Sequence, residues 1–388
     1  MPIGAHYHDQ HKPAKDRRNR MKKLLAIAFA AVIVFSFTMC KPSGPTGNAI
    51  KADVFWYTFR DTYLTSVRNA MEDNLRSMSQ INYTMHDCEE NQAIQIQKIE
   101  TAIAQGTNLL IVNIVTTGSE EAAMNIVELA KDAELPLIFF NREVSDEVVN
   151  SYDKCCFVGT NADEAGYMEG EAIANFLLRD EHFAGGKSIY DLDGDGTIKY
   201  IMFRGEHGNA EAFGRTKYSV TEANRLLEDK GLKLVPSPAN QRSTQYADDG
   251  ISNFFLYGNW SSAEAANLMR TALSAHSLTD GSIELIIANN DDQAMGAIEA
   301  MNEEGFNTGR EGSGYIPVFG VDAITGAVEA INAGKMTGTV LQDAEGMAKT
   351  ILALAQNISN DQDVFANTSR YNVDSGSKKI RVPYAIVN

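Results

Sequence analysis

The sequence predicts an α/β protein with two doubly wound lobes. Three observations support this prediction: short, continuous apolar runs recur along the chain, helical patterns separate them, and several runs stop at a carboxamide or a carboxylate. Such runs are typical of strands that are buried on both faces of a parallel sheet. Their alternation with helices indicates βαβ units, and two series of five strands suit two lobes of similar design.

The strands and helices alternate from Ile50 onward. The first series of predicted strands covers residues 51–58, 81–86, 108–114, 136–141 and 155–159. The second series covers residues 198–204, 232–236, 283–289, 315–321 and 336–341. Helical patterns cover residues 62–77, 91–105, 119–133, 163–178, 261–275 and 291–304. We expect the chain to cross first between lobes at 159–161, whereas residues 237–259 are polar and irregular and suggest an excursion at a lobe edge.

Polar side chains follow three of the apolar runs. Asn141 follows Phe140, Asn290 comes shortly after Ala288, and Asp322 follows Val321. In parallel sheets, ligands bind in the crevice beyond the carboxyl ends of the strands. Asn and Asp together donate and accept hydrogen bonds, so these ends predict a cleft for a neutral, hydroxyl-rich ligand.

Bulk composition limits the classes of function. A chain of 388 residues is long enough for two domains, and a hydrophobic share of 44% is ordinary for a globular protein. The net charge of −17 argues against a nucleic-acid partner, because neutralising phosphates requires a basic surface.

The amino-terminal segment has the pattern of an export signal. Met21-Lys22-Lys23 is positive, and the apolar stretch 24–37 is too short to span a bilayer. Cys40 and a Pro/Ser/Gly-rich segment follow, which resembles a lipoprotein cleavage site, although Thr38-Met39 are larger than the usual preceding residues. We therefore predict a leader over 1–39, lipidation of Cys40 and a linker over 40–50. The alternative is an ordinary secreted protein that is cut nearby.

A loop rich in acidic residues predicts a calcium site. Asp191, Asp193 and Asp195 occupy positions 1, 3 and 5 of an EF-hand-like spacing, with Gly196 at position 6. The cation of Lys199 stands at position 9, where an oxygen is usual, and no local glutamate closes the loop. A carboxylate from elsewhere would have to complete the site. The alternative is a polar turn in which Asp and Gly serve the backbone.

Two further patterns point to the cleft. Asn209, Glu211 and Arg215 follow a strand and open a helix, so either they face the cleft or they are an N-cap, a first-turn acid and a surface arginine. Trp260 precedes a helix and Tyr63 follows the first strand, where aromatic rings can stack on the apolar face of a sugar. Trp56, Cys155 and Cys156 lie within strands and are expected in the core.

Many separated blocks of this chain resemble the periplasmic galactose/glucose-binding proteins. The resemblance runs in order from about residue 52 to 387. Its blocks are Asp61, Phe139–Glu143, Ser151–Lys154, Val158–Thr160, Asp191–Lys199, Ile287–Asp291, Ala294–Ala297, Ile316–Ala323, Gly338–Leu341 and Arg381–Tyr384.

The resemblance implies a type I periplasmic binding protein, with two Rossmann-like lobes joined by a three-segment hinge and a sugar between them. Residues 51–160 and 343–373 would form the amino-terminal lobe, and residues 161–342 and 374–388 the carboxy-terminal lobe. It implies a sugar site made of Asp61, Tyr63, Asn141, Asn209, Glu211, Arg215, Trp260, Asn290, Asp322 and Gln342. It also implies that Ca²⁺ is held by Asp191, Asp193, Asp195, the Thr197 carbonyl and Glu284.

The chain departs from the family pattern at four of these sugar-site positions and at Lys199 in the calcium loop. Asn209 replaces a histidine and Glu211 an aspartate, so the preferred epimer is left open. The others are Tyr63 for phenylalanine, Gln342 for asparagine and Lys199 for glutamine. Calcium is still expected if the Lys199 ammonium points outward.

The resemblance implies a membrane-tethered, extracytoplasmic binding protein, and not an enzyme. It would capture D-glucose or D-galactose and deliver the sugar to the permease subunits of an ABC importer. A chemoreceptor is a further candidate partner, and a monomer is expected. Two alternatives remain: a glycosidase that uses Asp61, Glu211 or Asp322 as an acid/base pair, and a sugar-responsive regulator, which would need a helix-turn-helix where this chain has a leader.

Overall fold

Two largely parallel sheets organise the computed structural model, which describes residues 49–243, 253–374 and 376–387. The predicted leader, Cys40 and most of the predicted linker lie outside the described residues. Within the described part of the chain, no helix is long and apolar enough to cross a bilayer.

Sheet 1 lies in the amino-terminal lobe. Its strands are β1 (Ile50–Trp56), β2 (Ile81–Asp87), β3 (Leu109–Val112), β4 (Leu137–Phe140), β5 (Cys155–Gly159), β15 (Asn372–Val373) and β16 (Lys379–Arg381). From one edge to the other the order is β2, β1, β3, β4, β5, β16, β15. All neighbouring pairs are parallel except β15 with β16. The strand order reverses between β1 and β3, which is where an open α/β sheet leaves a binding crevice.

Sheet 2 repeats this plan in the carboxy-terminal lobe. Its strands are β8 (Thr197–Arg204), β9 (Lys233–Pro236), β10 (Gln241–Arg242), β11 (Phe254–Tyr257), β12 (Leu285–Ala288), β13 (Val318–Asp322), β14 (Gly338–Gln342) and β17 (Tyr384–Val387). The central order β9, β8, β12, β13, β14 matches that of sheet 1. β17 closes one edge antiparallel to β14. A short hairpin, β6 (Phe183–Ala184) and β7 (Lys187–Ser188), lies apart from both sheets.

Helices cover both faces of each sheet, which explains why the central strands β3, β4 and β12 are apolar throughout. On sheet 1, helices Thr62–Leu75 and Ala344–Ser359 pack on one face. The other face carries helices Gln92–Ala104, Glu120–Asp132 and Asp146–Asn150. On sheet 2, helices Ala162–Leu177 and Ala210–Leu227 pack on one face. Its other face carries helices Ser262–Leu273, Asp291–Glu303 and Thr325–Asn332. Trp56, Cys155 and Cys156 are buried in the core of sheet 1, as predicted.

The described chain passes between the two sheets at three places: after Gly159, after Gln342 and after Arg381. The predicted boundary after Val373 is wrong, because β16 pairs with β5 and so belongs to sheet 1. Only the last strand, β17, returns to sheet 2. The interpretation of 237–259 as irregular is also partly wrong, since β11 pairs in parallel with β8.

Candidate functional site

The predicted sugar-binding residues, which both lobes contribute, come together in one cavity. Its wall includes all ten of them: Asp61, Tyr63, Asn141, Asn209, Glu211, Arg215, Trp260, Asn290, Asp322 and Gln342. Asn141 follows β4 directly, Asp322 and Gln342 are the last residues of β13 and β14, and Asn290 comes two residues after β12, so these four lie at strand ends as predicted. Their role in binding a sugar stays a prediction, but their meeting at one place is a feature of the fold.

Three of these residues cap the N-termini of helices at the cavity. Asp61 Oδ1 accepts a hydrogen bond from the Leu64 amide at 2.7 Å. Asn209 Oδ1 accepts one from the Ala212 amide at 3.1 Å, and Asn290 Oδ1 one from the Gln293 amide at 3.0 Å. Each cap fixes its own side chain and satisfies one of the free amides of the helix end. The two interpretations of Asn209, cap or cleft residue, are therefore both correct.

Arg215 is the centre of the polar network. Its Nη1 donates to the Asn289 carbonyl at 2.7 Å and lies 3.4 Å from Asp322 Oδ1. Its Nη2 donates to Gln342 Oε1 at 2.8 Å and to the Tyr384 hydroxyl at 3.1 Å. The side chain is 3% exposed, so the surface-arginine interpretation is wrong. Its buried Nε has no hydrogen-bond partner among the described residues.

Two carboxylates lie beside this guanidinium. Burial raises the pKa of both Glu211 and Asp322, and the charge of Arg215 opposes that rise. Glu211 Oε1 also accepts a hydrogen bond from the Thr160 hydroxyl at 3.4 Å. The pair therefore offers oxygens held in place by buried partners, which suits strong acceptance from hydroxyl groups.

Aromatic rings form two walls of the cavity. Trp260 has a positive φ of 66°, and its indole lies flat on Gly205, where an added Cβ would come within 2.3 Å of the ring. Asn290 Nδ2 donates to the Trp260 carbonyl at 3.3 Å. Tyr63 is only 6% exposed, and burial raises the pKa of its hydroxyl well above the usual range. Both rings are therefore fixed apolar surfaces beside polar groups.

Tyr57 and Arg142 also line the cavity, and the sequence did not predict them as site residues. The Tyr57 hydroxyl donates to Asp61 Oδ2 at 2.9 Å. The Arg142 guanidinium carbon lies 4.1 Å from the centre of the Tyr57 ring, and its Nη2 donates to the Val115 carbonyl at 3.0 Å. The position of Arg142, directly after Asn141 at a strand end, was a signal that the strand-end pattern could have used.

The predicted calcium loop is folded, but its cation is a side chain. Oxygens of Asp191, Asp193 and Glu284 lie within 4.8 Å of one another. The Lys199 Nζ lies 2.8 Å from Asp193 Oδ2 and 2.8 Å from Asp195 Oδ2. The ammonium therefore points into the loop, and not outward as the calcium prediction required. With the ammonium there, these residues do not fit an additional calcium ion.

The cavity combines groups that suit a ligand with many hydroxyls. Carboxylates accept, guanidinium groups donate, and the carboxamides of Asn141, Asn209 and Gln342 do both. The buried Gln342 Nε2 also has no partner among the residues that the structure describes. Because the groups come from both lobes, a ligand that contacts them favours closure of the cleft.

The chain is similar to extracytoplasmic binding proteins over most of its length. It is 27% identical to the D-galactose/methyl-galactoside binding periplasmic protein MglB of Haemophilus influenzae over 361 residues, which cover 93% of this chain and 96% of that protein. It is 21% identical to the ribose import binding protein RbsB of Escherichia coli, over 83% of this chain and 87% of that protein.

Solved structures share the fold. An ABC transporter solute binding protein from Bacillus halodurans with bound myo-inositol has a TM-score of 0.63 and 22% identity, over 89% of this chain and 96% of that one. One from Clostridium phytofermentans with bound β-D-glucose has a TM-score of 0.63 and 16% identity, over 87% and 94%. A family model described as "Periplasmic binding protein domain" matches residues 52–363. The chain therefore belongs to the periplasmic binding protein family, and its fold is the type I fold with two lobes.

Proposed function

We propose that this protein captures a monosaccharide, D-glucose or D-galactose, between its lobes and delivers it to an ABC importer. The observation that carries the proposal is the meeting of ten polar and aromatic residues from both lobes in one cavity. No bond in the ligand is broken. The work is closure of the lobes, which the ligand favours by contacting both.

The chemistry of the wall supports a sugar. Hydroxyl groups need fixed acceptors and donors, which Asp61, Asp322 and Arg215 supply, and the C–H face of a pyranose packs on aromatic rings such as Trp260.

The relatives support the same class of ligand. The Haemophilus protein is named for D-galactose and methyl-galactoside, and the Clostridium structure contains β-D-glucose. Other relatives are named for, or were solved with, ribose and myo-inositol. A hexose is favoured here because the blocks that resemble the galactose/glucose-binding proteins include the cleft residues Asp61, Asn141, Asn290 and Asp322.

Calorimetric titration of the protein with its leader removed tests the proposal. The panel contains D-glucose, D-galactose, D-ribose, D-xylose and myo-inositol, each added to the same ligand-stripped protein. We expect one of the two hexoses to bind at least tenfold more tightly than the pentoses and the cyclitol. Tightest binding of a pentose or of myo-inositol would reject the hexose, and no binding by any compound would reject the sugar site.

The same preparation separates binding from hydrolysis. Nitrophenyl glucosides and galactosides are incubated with the protein, and release of nitrophenol is followed by absorbance. We expect no turnover, because a protein that only binds and releases its sugar leaves the glycosidic bond intact. Release above the rate of a Trp260→Ala variant would favour the glycosidase alternative.

We also propose an extracytoplasmic location with a lipid anchor on Cys40. This proposal rests on the export signal and the Cys40 segment of the sequence. Cys40→Ser, expressed in a bacterial host, should move the protein from the membrane fraction to the soluble fraction. In the wild-type protein, the partners of the closed, tethered monomer would be the permease and, in addition, a chemoreceptor.

A further inference from the structure

The loop between β7 and β8 folds around a cation that belongs to the chain. Lys199 lies on β8, and its Nζ is 2.8 Å from Asp193 Oδ2 and 2.8 Å from Asp195 Oδ2. The Lys199 side chain is only 18% exposed, although it ends in a charge. An ammonium has three N–H donors, so it can bind two carboxylates of one loop and hold them together.

The rest of the loop is already satisfied. The two oxygens of Asp191 accept hydrogen bonds from the amides of Asp195, at 3.0 Å, and Gly196, at 2.9 Å. The two oxygens of the buried Glu284 accept from the amides of Leu192 and Lys199, both at 2.7 Å. Each carboxylate oxygen of Asp191, Asp193, Asp195 and Glu284 thus has a partner within the chain.

We propose that the Lys199 ammonium takes the place of a metal ion in this loop, so that the loop keeps its fold without bound calcium. In an EF-hand-like spacing, position 9 supplies an oxygen, directly or through a water. Here position 9 supplies the positive charge. The inference is independent of the sugar-binding proposal, since it concerns a loop outside the cleft.

The proposal makes a gain-of-function prediction. Lys199→Gln removes the charge and places a carbonyl oxygen at position 9. The remaining donors are Asp191, Asp193, Asp195, the Thr197 carbonyl and Glu284, which are hard oxygens of the kind that Ca²⁺ prefers. The variant should therefore acquire a calcium site that the wild-type protein lacks.

Thermal unfolding in excess CaCl₂ and in excess EGTA measures this difference. We expect the wild-type midpoint to be the same in both solutions. In EGTA, the midpoint of Lys199→Gln should lie below that of the wild type. In CaCl₂, it should lie roughly 3 °C or more above its own value in EGTA, because calcium binds the folded state only. Calorimetric titration with CaCl₂ alone should show binding to the variant and none to the wild type.

Two control variants separate the cation from general effects of substitution. Lys199→Met removes the ammonium without adding an oxygen, so it should lose stability and respond to calcium less than Lys199→Gln. Lys233→Gln changes an exposed lysine on the adjacent strand β9 and should behave as the wild type. A calcium-dependent rise in the wild-type midpoint, or the same calcium response in Lys199→Gln and Lys233→Gln, would overturn the proposal. The comparison of the wild-type midpoints in CaCl₂ and EGTA tests the proposal even if Lys199→Gln fails to fold.

Discussion

Arg142 of the amino-terminal lobe and Glu206 of the carboxy-terminal lobe form an ion pair across the cleft. The Thr117 hydroxyl also donates to Glu206, to Oε1 at 3.1 Å, so two groups of one lobe hold a single carboxylate of the other. Arg142 stacks on Tyr57, and Tyr57 donates to Asp61 in the cavity. The ion pair is therefore joined to the candidate site, and it exists only while the lobes are together.

Glu206→Gln tests this ion pair between the lobes. The substitution leaves the Arg142 charge without its partner in the closed state, while the open state loses little. We expect sugar affinity to fall about five- to thirtyfold, which corresponds to roughly 1–2 kcal/mol. Calorimetry measures the affinity, and Glu90→Gln, which changes an exposed ion pair with Arg60, is the control. Equal affinity in Glu206→Gln and wild type would show that the pair does not favour closure.

Gly118→Ala tests closure by steric contact. A Cβ at Gly118 would lie 2.7 Å from the Gly208 carbonyl oxygen in the other lobe, and the residue has a positive φ of 69°. We expect the variant to bind sugar at least tenfold more weakly, because the closed arrangement no longer fits. Gly106→Ala is the matched control: its φ is 77°, but nothing lies within 4 Å of the added Cβ. It should share the backbone strain and keep the affinity, and equal losses in both variants would reject the contact argument.

Trp260→Ala tests the stacking wall. Removing the indole takes away the surface that would cover one face of the sugar ring, and stacking on aromatic groups is worth roughly 0.5–1.5 kcal/mol beyond the area buried. Together with the lost apolar contact, we expect at least tenfold weaker binding, measured by calorimetry. Tyr83→Ala, an exposed aromatic on β2, should leave affinity unchanged. Wild-type affinity in Trp260→Ala would reject the assignment of the cleft.

Asp322→Ala tests the acceptor beside Arg215. The change removes a buried carboxylate, so ligand hydroxyls and the Arg215 guanidinium both lose an acceptor. Each buried group left unpaired costs roughly 1–3 kcal/mol, so affinity should fall at least tenfold. Asp229→Ala, at an exposed position, is the control for the loss of one negative charge. If both variants bind as the wild type does, Asp322 is not a sugar ligand.

Glu169→Gln tests a buried acid that does not line the cavity. Glu169 is 0% exposed, and among the described residues neither of its carboxylate oxygens has a hydrogen-bond partner. Burial raises its pKa well above the usual range, so the folded state holds a proton that the unfolded state releases. Its contribution to stability is complete below the ordinary pKa of glutamate and is lost as the pH rises toward the folded-state pKa.

The loss should be about 1.4 kcal/mol for each pH unit between the two pKa values. Thermal midpoints of Glu169→Gln and the wild type, measured from about pH 5 to about pH 8, should therefore diverge in favour of glutamine as the pH rises. Glu171→Gln, on an exposed part of the same helix, should follow the wild-type curve. Parallel curves for Glu169→Gln and the wild type would contradict a raised pKa.

The sequence predicted the ten main strands because apolar runs report burial on both faces of a sheet. It also predicted the meeting of Asn141, Asn290 and Asp322, since parallel strands end at one edge. β16 and β17 were assigned together to the carboxy-terminal lobe, although β16 belongs to sheet 1. Strands of three or four residues carry too little periodic pattern to show which sheet they join, and hydrogen bonds between distant segments decide it.

Side-chain direction was the other feature that sequence spacing could not supply. Lys199 was visible as a cation among acids, but whether its ammonium points inward depends on the path of β8 and on Glu284, 85 residues away. Tyr57 was missed for a related reason. Its place in the site depends on its contacts with Arg142 and Asp61.

The convergence of Gln342 and Tyr384 on Arg215 affects how the molecule opens. These residues stand at the sheet 2 ends of two connecting segments, and the Tyr384 hydroxyl donates to Thr160 Oγ1 in the third at 2.9 Å. All three segments are thus braced against the carboxy-terminal lobe. Thr160 is held from sheet 1 as well, because its carbonyl accepts a hydrogen bond from Arg381 Nη1 at 2.6 Å. The three segments are therefore tied to one another, and a change in the angle between the lobes requires these hydrogen bonds to shift together.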